Sequence, residues 1–339
     1  YDCTNYYCEA ESADEDYTDP ITGEVLTGLR QYGLAKDHKP NPLVEMGLFM
    51  DTNGIPISMC ITPGNANEQT TVLPLEKELI RMFGDKKNKF IYCADAGLGS
   101  YHIRSYNAMG GRAFIVTQSI KKLSDKLKEA VFNDFEYKLL SDETPVSIEA
   151  MKQFDKADPK NLALYRDTAY KVIDADTLMV VGLSEEKVFA NGKKRNVKSK
   201  AVLKQHVIIT FSRKSFEYQR FIRNRQIERA KKILENLEPD EYKKGPNDVT
   251  RFIKKASDSK AQYEIDYEKI AEEEKYDGFY AIATNLNDEA KEILAINAQR
   301  YKIEECFRIL KNDFISRPYF HRTRKRIIAH FMICYTALL

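Results

Sequence analysis

Three acidic residues, far apart in the chain, have neighbours that suit metal chemistry. Asp95 stands in Ala94-Asp95-Ala96-Gly97, where a short apolar run gives way to a glycine-containing loop. Ligands bind at the carboxyl ends of strands in α/β sheets. An Asp at such a place also serves as a loop or helix cap. Glu304 lies in a helical pattern: at 100° per residue, Asn297, Arg300, Glu304, Arg308 and Lys311 share an arc of about 80°. One acid therefore sits in a stripe of bases, although i,i+4 ion pairs on a solvated helix give the same pattern. Asp2, followed by Cys3-Thr4, is uninformative alone. Taken together, the three acids point to a divalent metal site. Magnesium takes oxygen ligands in octahedral geometry, from a few carboxylates, water and substrate phosphate. Two such ions about 3.5–4 Å apart activate an attacking hydroxyl and stabilise the leaving oxygen. Bases beside Glu304 would hold a phosphodiester backbone, and a carboxylate among bases stays ionised.

The elements that must position these acids alternate. Residues 46–51 and 55–61 are apolar segments joined through Thr52-Asn53-Gly54, a hairpin signal. Residues 68–83 have helical periodicity, 90–94 form a short buried strand, 100–109 a helix and 113–117 another strand. This order predicts a mixed sheet with helices packed on it. From 120 to 275 the rhythm breaks. Strands are predicted at 171–174, 178–183 and 205–211, and a basic helix at 214–237 with Phe221, Ile227, Ala230, Leu234 and Leu237 on one side. The stretch 239–275 is heavily charged. A strand at 279–283 then leads to one long helix, 287–312, capped by Asn285 or Asn287, and 323–339 forms a last helix. The expected organisation is a core in two parts, 1–119 and 276–339, separated by an insertion subdomain at 120–275.

Composition narrows the class. The 339 residues carry 53 basic and 51 acidic side chains, a net +2, and 43% are hydrophobic, enough for a sizeable core. No apolar run approaches the roughly 18–20 residues of a membrane span. The six cysteines (Cys3, Cys8, Cys60, Cys93, Cys306, Cys334) are dispersed without CxxC, which reads as reduced, mostly buried thiols. The near-zero net charge hides segregation. Residues 9–24 carry seven acids and no base, 187–204 seven bases and no acid, and 299–326 nine bases against three acids. Tyr319, Phe320 and His321 lie in that last run, which looks like a phosphate-facing surface. The runs otherwise read as solvated surface.

In order along the chain, several segments resemble the DDE transposases of bacterial insertion sequences. More narrowly, they resemble the cut-and-paste group with a large insertion before the final acid and a Tyr–Arg–Glu–Lys signature. Asp2-Cys3-Thr4-Asn5-Tyr6-Tyr7 resembles the first-acid strand, and Gly33-Leu34-Ala35-Lys36-Asp37-His38-Lys39-Pro40 a Gly-x-Ser-Lys-Asp-His-Arg-Pro segment. Met46-Gly47-Leu48-Phe49-Met50-Asp51, Gly54-Ile55-Pro56 and Pro63-Gly64-Asn65 resemble the next hairpin and its exit. Ala94-Asp95-Ala96-Gly97-Leu98 resembles the second-acid strand. Asp277-Gly278-Phe279-Tyr280, Thr284-Asn285, the run from Arg300 to Lys311, and Arg317-Pro318-Tyr319-Phe320-His321 resemble the third-acid region.

The resemblance implies an α/β, ribonuclease-H-like fold: a mixed five-strand sheet with flanking helices, interrupted by a strand-rich insertion. It implies Asp2, Asp95 and Glu304 as catalytic metal ligands for Mg2+, with Mn2+ able to substitute. It places Arg300 and Lys311 on DNA phosphates. Arg308, Lys36, His38, Lys39, Arg317 and His321 are further DNA-contact candidates. The partners implied are double-stranded DNA (terminal inverted repeats and target) and a second copy of the chain, in the bacterial cytoplasm at the nucleoid. The activity implied is metal-dependent cleavage at transposon ends and strand transfer. Two departures stand out: the signature tyrosine is replaced by Asn297, and the chain has no Trp. An inactive DNA-binding remnant and another ribonuclease-H-like nuclease are the alternative readings. The position of Asp2 so near the first residue carries the expectation of a fragment, less stable than a chain extended upstream.

Overall fold

The computed structural model describes residues 1–83, 90–235, 248–256 and 263–339, without the side chains of 183 and 185. The protein is a mixed α/β chain. In order, its main elements are β1 (Asp2–Tyr7), β2 (Leu43–Met50), β3 (Pro56–Pro63), α1 (Glu68–Phe83), β4 (Ile91–Ala94), α2 (Tyr101–Asn107) and β5 (Ala113–Thr117). There follow β6 (Lys138–Leu139), β7 (Ala169–Asp174), β8 (Val180–Val188), β9 (Lys194–Val202), β10 (His206–Phe211) and α3 (Arg213–Glu235). The chain closes with β11 (Phe279–Thr284), α4 (Ala290–Ala298), α5 (Tyr301–Arg308) and α6 (Arg324–Leu338).

Several sheets form. The largest is a six-stranded mixed sheet in the order β4-β5-β11-β10-β7-β6, in which β4 and β5 are parallel. A three-stranded antiparallel sheet has the order β1-β2-β3, with β2 and β3 joined at the expected Asn53-Gly54 turn. Gly54 adopts φ +88°, which a side chain would resist. Among the described residues, strands β8 and β9 pair only with each other. The chain divides into two compact units, one of 1–117, 175–206 and 283–339, the other of 118–174 and 207–282. The segment 175–206 thus belongs with the unit that holds both chain ends.

The first unit is centred on Tyr6, Val44, Met46 and Leu48 of the three-stranded sheet, packed against Ile303, Cys306, Phe307 and Leu310 and against Ile327 and Phe331 of α6. Each fully buried side chain of this size contributes about 1.5–3 kcal/mol. In the second unit, Ala230 of α3 packs with Phe252, Ile253, Ile265 and Ile270. Phe221, expected on the buried side of α3, is instead 57% exposed, and Leu237 lies outside the described residues. The cysteines form no disulfide, and Cys60 and Cys93 are only partly buried. Among the described residues no helix is long and apolar enough to cross a membrane.

The expected single helix 287–312 is two helices with a break at Gln299–Arg300. There the amides of Gln299, Arg300, Lys302 and Ile303 bond to carbonyls three residues back, at 3.0–3.2 Å. This tighter winding shifts the helical phase. Asn285 caps no helix; its Oδ1 accepts from the Phe114 amide at 2.9 Å. Beyond α5 the winding loosens into a π turn, Ile309–Asp313. Asn297 and Lys311 therefore flank α5 rather than extending one ideal stripe through it.

Candidate functional site

All three acids lie in the first unit. Asp2 opens β1, and Asp95 follows the last residue of β4. The Tyr1 nitrogen donates to the Cys93 carbonyl at 2.8 Å, which brings the start of β1 to the carboxyl end of β4. Asp95 Oδ1 accepts the Gly97 and Leu98 amides at 2.9 and 3.1 Å. The loop cap and the strand-end acid are thus the same residue. Burial lifts the Asp2 carboxyl above the ordinary carboxylate value. The Cys3 amide and the Lys36 ammonium draw it down, and the charge of Asp95 pushes it up again. Asp2 therefore senses the charge of Asp95.

Lys36 and Lys311, from separate segments, act on Asp2, and Arg300 lies near Tyr1 and Cys93. Side chains alternate along a strand, so Asp2, Thr4 and Tyr6 share one face of β1. Lys311 Nζ donates to Thr4 Oγ1 at 2.6 Å and lies 5.3 Å from the centre of the Tyr6 ring. Burial lowers the Lys311 ammonium to about 8, Lys36 adds to this, and Asp2 opposes it. Lys36 Nζ donates to the Cys3 carbonyl at 2.6 Å. Its backbone amide donates to Asn5 Oδ1 at 3.2 Å. Arg300 donates to Thr117 Oγ1, at the end of β5, at 2.9 Å. Its charge also reaches Cys93 and the Tyr1 amine.

Glu304 stands apart. It is exposed on α5, and among the described residues it makes no ion pair or side-chain hydrogen bond. Among the described residues, no three or more His, Cys, Asp or Glu side chains are grouped to hold a metal. Magnesium is commonly held by one or two carboxylates plus water and phosphate. The raised Asp2 beside Asp95 fits such an ion, because a cation would relieve both the burial and the repulsion. The full set of three acids does not assemble around one.

The remaining DNA-contact candidates divide. Arg308 is held by Glu305 at 2.7–2.9 Å and faces Asp313 at 3.5 Å, and Arg317 is paired with Asp37. His38, at φ 55°, and Lys39 are exposed. His321 is half-buried, its ring 5.2 Å from that of His330.

Sequence reasoning overlooked a second acid pair. Glu45 is 5% exposed in the middle of β2, and its Oε1 has no partner. Burial and the charge of Glu68 hold its carboxyl well above the ordinary range. Glu68 in turn lies 3.4 Å from Lys36. The signal was one acid inside an otherwise apolar strand run. Asn5, Lys36, Glu45, Glu68 and Gly97 line a cavity of about 400 Å3. No protein-family model matches the chain, and no curated protein matches it in sequence.

Proposed function

We propose that this chain is the catalytic domain of a DNA transposase of the DDE class, which cleaves DNA at the ends of a mobile element and joins them to target DNA. The observation that carries this reading is the meeting of Asp2 and Asp95 at the strand ends, where the charges of Lys36 and Lys311 reach Asp2. Acids that hold a cation and bases that hold phosphate are what phosphodiester cleavage requires. The strand order β3-β2-β1, with β1 meeting β4 through Tyr1 and β4 parallel to β5, supports a ribonuclease-H-like core for the same unit.

Magnesium, or manganese in its place, would be held by Asp2 and Asp95, and would polarise the phosphodiester and lower the pKa of the attacking hydroxyl. Lys311 and Lys36 neutralise the phosphate, and their anchors on Thr4 and the Cys3 carbonyl fix where their charges stand. Arg300, anchored on Thr117, orients the strand leaving the site. Glu304, exposed on α5 and unpartnered among the described residues, is the remaining candidate for a third acid.

The test is nicking of duplex DNA carrying the element's terminal inverted repeats, with magnesium. Asp2→Asn and Asp95→Asn should abolish cleavage and leave DNA binding largely intact; full cleavage by Asp95→Asn would sink the assignment. Glu304→Gln separates two forms of the reading. Its inactivity supports a three-acid centre, and its full activity reduces the centre to the pair. The separation of Glu304 from the pair also favours a second reading, a DNA-binding remnant without turnover. That reading predicts metal-independent binding and no cleavage by the unaltered chain.

A further inference from the structure

A polar row crosses the three-stranded sheet. Asn5 of β1 lies directly opposite Glu45 of β2, and Glu45 directly opposite Thr62 of β3. Directly opposite side chains stand on one face of a sheet. Asn5 is satisfied: its Nδ2 donates to the Leu34 carbonyl at 2.9 Å, and its Oδ1 accepts the Lys36 amide. Glu45, 5% exposed, is not. Among the described residues its Oε1 has no hydrogen-bond partner, and the Thr62 hydroxyl beside it has none either. Burying a polar atom without a partner is costly.

Glu45 lines the cavity of about 400 Å3, and Glu68, at the start of α1, lines it as well. We propose that this cavity binds a primary alkylammonium, seated between the Glu45 and Glu68 carboxyls. The proposal does not rest on the DNA reading.

Charge selects a monovalent cation. Lys36 Nζ stands 3.4 Å from Glu68 Oε1, but it donates to the Cys3 carbonyl and its charge also acts on Asp2. Two carboxylates against one ammonium leave a single negative charge. An anion or a neutral ligand would leave the repulsion between Glu45 and Glu68 in place, whereas a cation relieves both that repulsion and the burial of Glu45.

The lining selects an organic cation over a metal. Among the described residues no three or more His, Cys, Asp or Glu side chains are grouped to hold an ion. Calcium takes about 6–8 oxygen ligands. The volume is that of a small-molecule site, roughly 300–1,000 Å3. Leu34 and Ala66 offer apolar surface to a short alkyl chain, and Asn65 and Asn67 complete the polar wall. An ammonium has three N–H donors and no acceptor, so one donor meets each carboxyl.

The experiment is calorimetric titration of the 339-residue chain with n-butylammonium chloride at constant ionic strength. It is run at about pH 8, where the Glu45 carboxyl gives up its proton. Saturable binding at one site is expected. Glu45→Gln and Glu68→Gln should each weaken it at least about tenfold, the scale of one charge-assisted hydrogen bond. Glu68 is half-buried, so Glu68→Gln decides the matter should Glu45→Gln fail to fold. Tetramethylammonium, with the same charge and no N–H, should bind at least about tenfold more weakly. Equal binding of the two cations, or full binding by Glu68→Gln, would overturn the proposal, as would no binding by the unaltered chain. Asp95→Asn should leave the affinity unchanged; a loss equal to that of Glu68→Gln would place the cation at the Asp2–Asp95 pair instead. Magnesium binding more tightly than butylammonium, and lost in Glu68→Gln, would overturn the ammonium in favour of a metal. Sedimentation separates the two sources of an ammonium. A two-chain mass that falls to one chain on adding butylammonium supports the site with a lysine of a second copy as its occupant, and a constant mass supports a free amine.

Discussion

Two groups of charged side chains, one in each unit, are partnered differently. In the second, Arg223 and Asp277 are 5% and 4% exposed and meet in a bidentate pair, with one N–H···O distance of 2.6 Å. Arg220 and Glu274 flank it at 3.5–3.6 Å. In the first unit the half-buried Asp2 and Lys311 and the buried Glu76 have no ion-pair partner among the described residues. Among the described residues Asp2 accepts only the amide of the next residue, Lys311 donates to a hydroxyl, and Glu76, fully buried, has one oxygen bonded to Asn107 and the other unpaired. The Arg223–Asp277 pair is internally neutral, although among the described residues the Arg223 Nε has no hydrogen-bond partner. An open set leaves charge for a ligand to complete.

Four measurements bear on this contrast. The largest effect is expected in the closed pair. Asp277→Ala strands a buried guanidinium and should cost about 3–5 kcal/mol in denaturant unfolding, whereas replacing both partners with apolar residues should cost far less. A loss from Asp277→Ala as small as that of a surface substitution would break the comparison.

Glu76 comes next. Burial holds its carboxyl at about 7, against an ordinary 4.5. The native state therefore keeps a proton that the unfolded chain gives up. Stability should fall as pH rises from 4.5 to about 7, by at most about 1.4 kcal/mol per pH unit. Unfolding of Glu76→Gln should lack this slope; an identical pH profile would show that Glu76 is better solvated than its burial indicates.

Lys311 sharpens the open side. Its ammonium loses its proton near 8, so DNA affinity should decline as pH rises through that value. Lys311→Arg, charged throughout, should remove the decline, and Lys311→Ala should weaken binding at every pH. Anisotropy at constant ionic strength reads all three.

The smallest effect is expected at Arg308, already neutralised on the surface by Glu305. Arg308→Ala should leave the thermal midpoint unmoved and reduce DNA affinity less than Lys311→Ala does. A larger loss than that would place Arg308 in direct contact with phosphate.

Local patterns made much of this legible. The Asn53-Gly54 hairpin, the strand ending at Asp95 and the helix over 68–83 follow from periodicity and turn chemistry. The run 187–204 read only as basic surface, because lysines alternating with small residues carry little apolar signal, and it folds as most of a hairpin. The long helix failed at 299–300 because its break comes from hydrogen-bond register, with no Pro or Gly to mark it.

The sequence by itself determined which residues carry charge and which runs become strands or helices, since these depend on neighbours a few positions away. Only the tertiary structure decided that Asp2 stands by Asp95 while Glu304 stays apart, and that Lys36 and Lys311 settle on β1. It also decided that Glu45 and Glu68 oppose each other. Those relations depend on strand pairing and helix packing between distant segments, where burial and nearby charge set the state of each group.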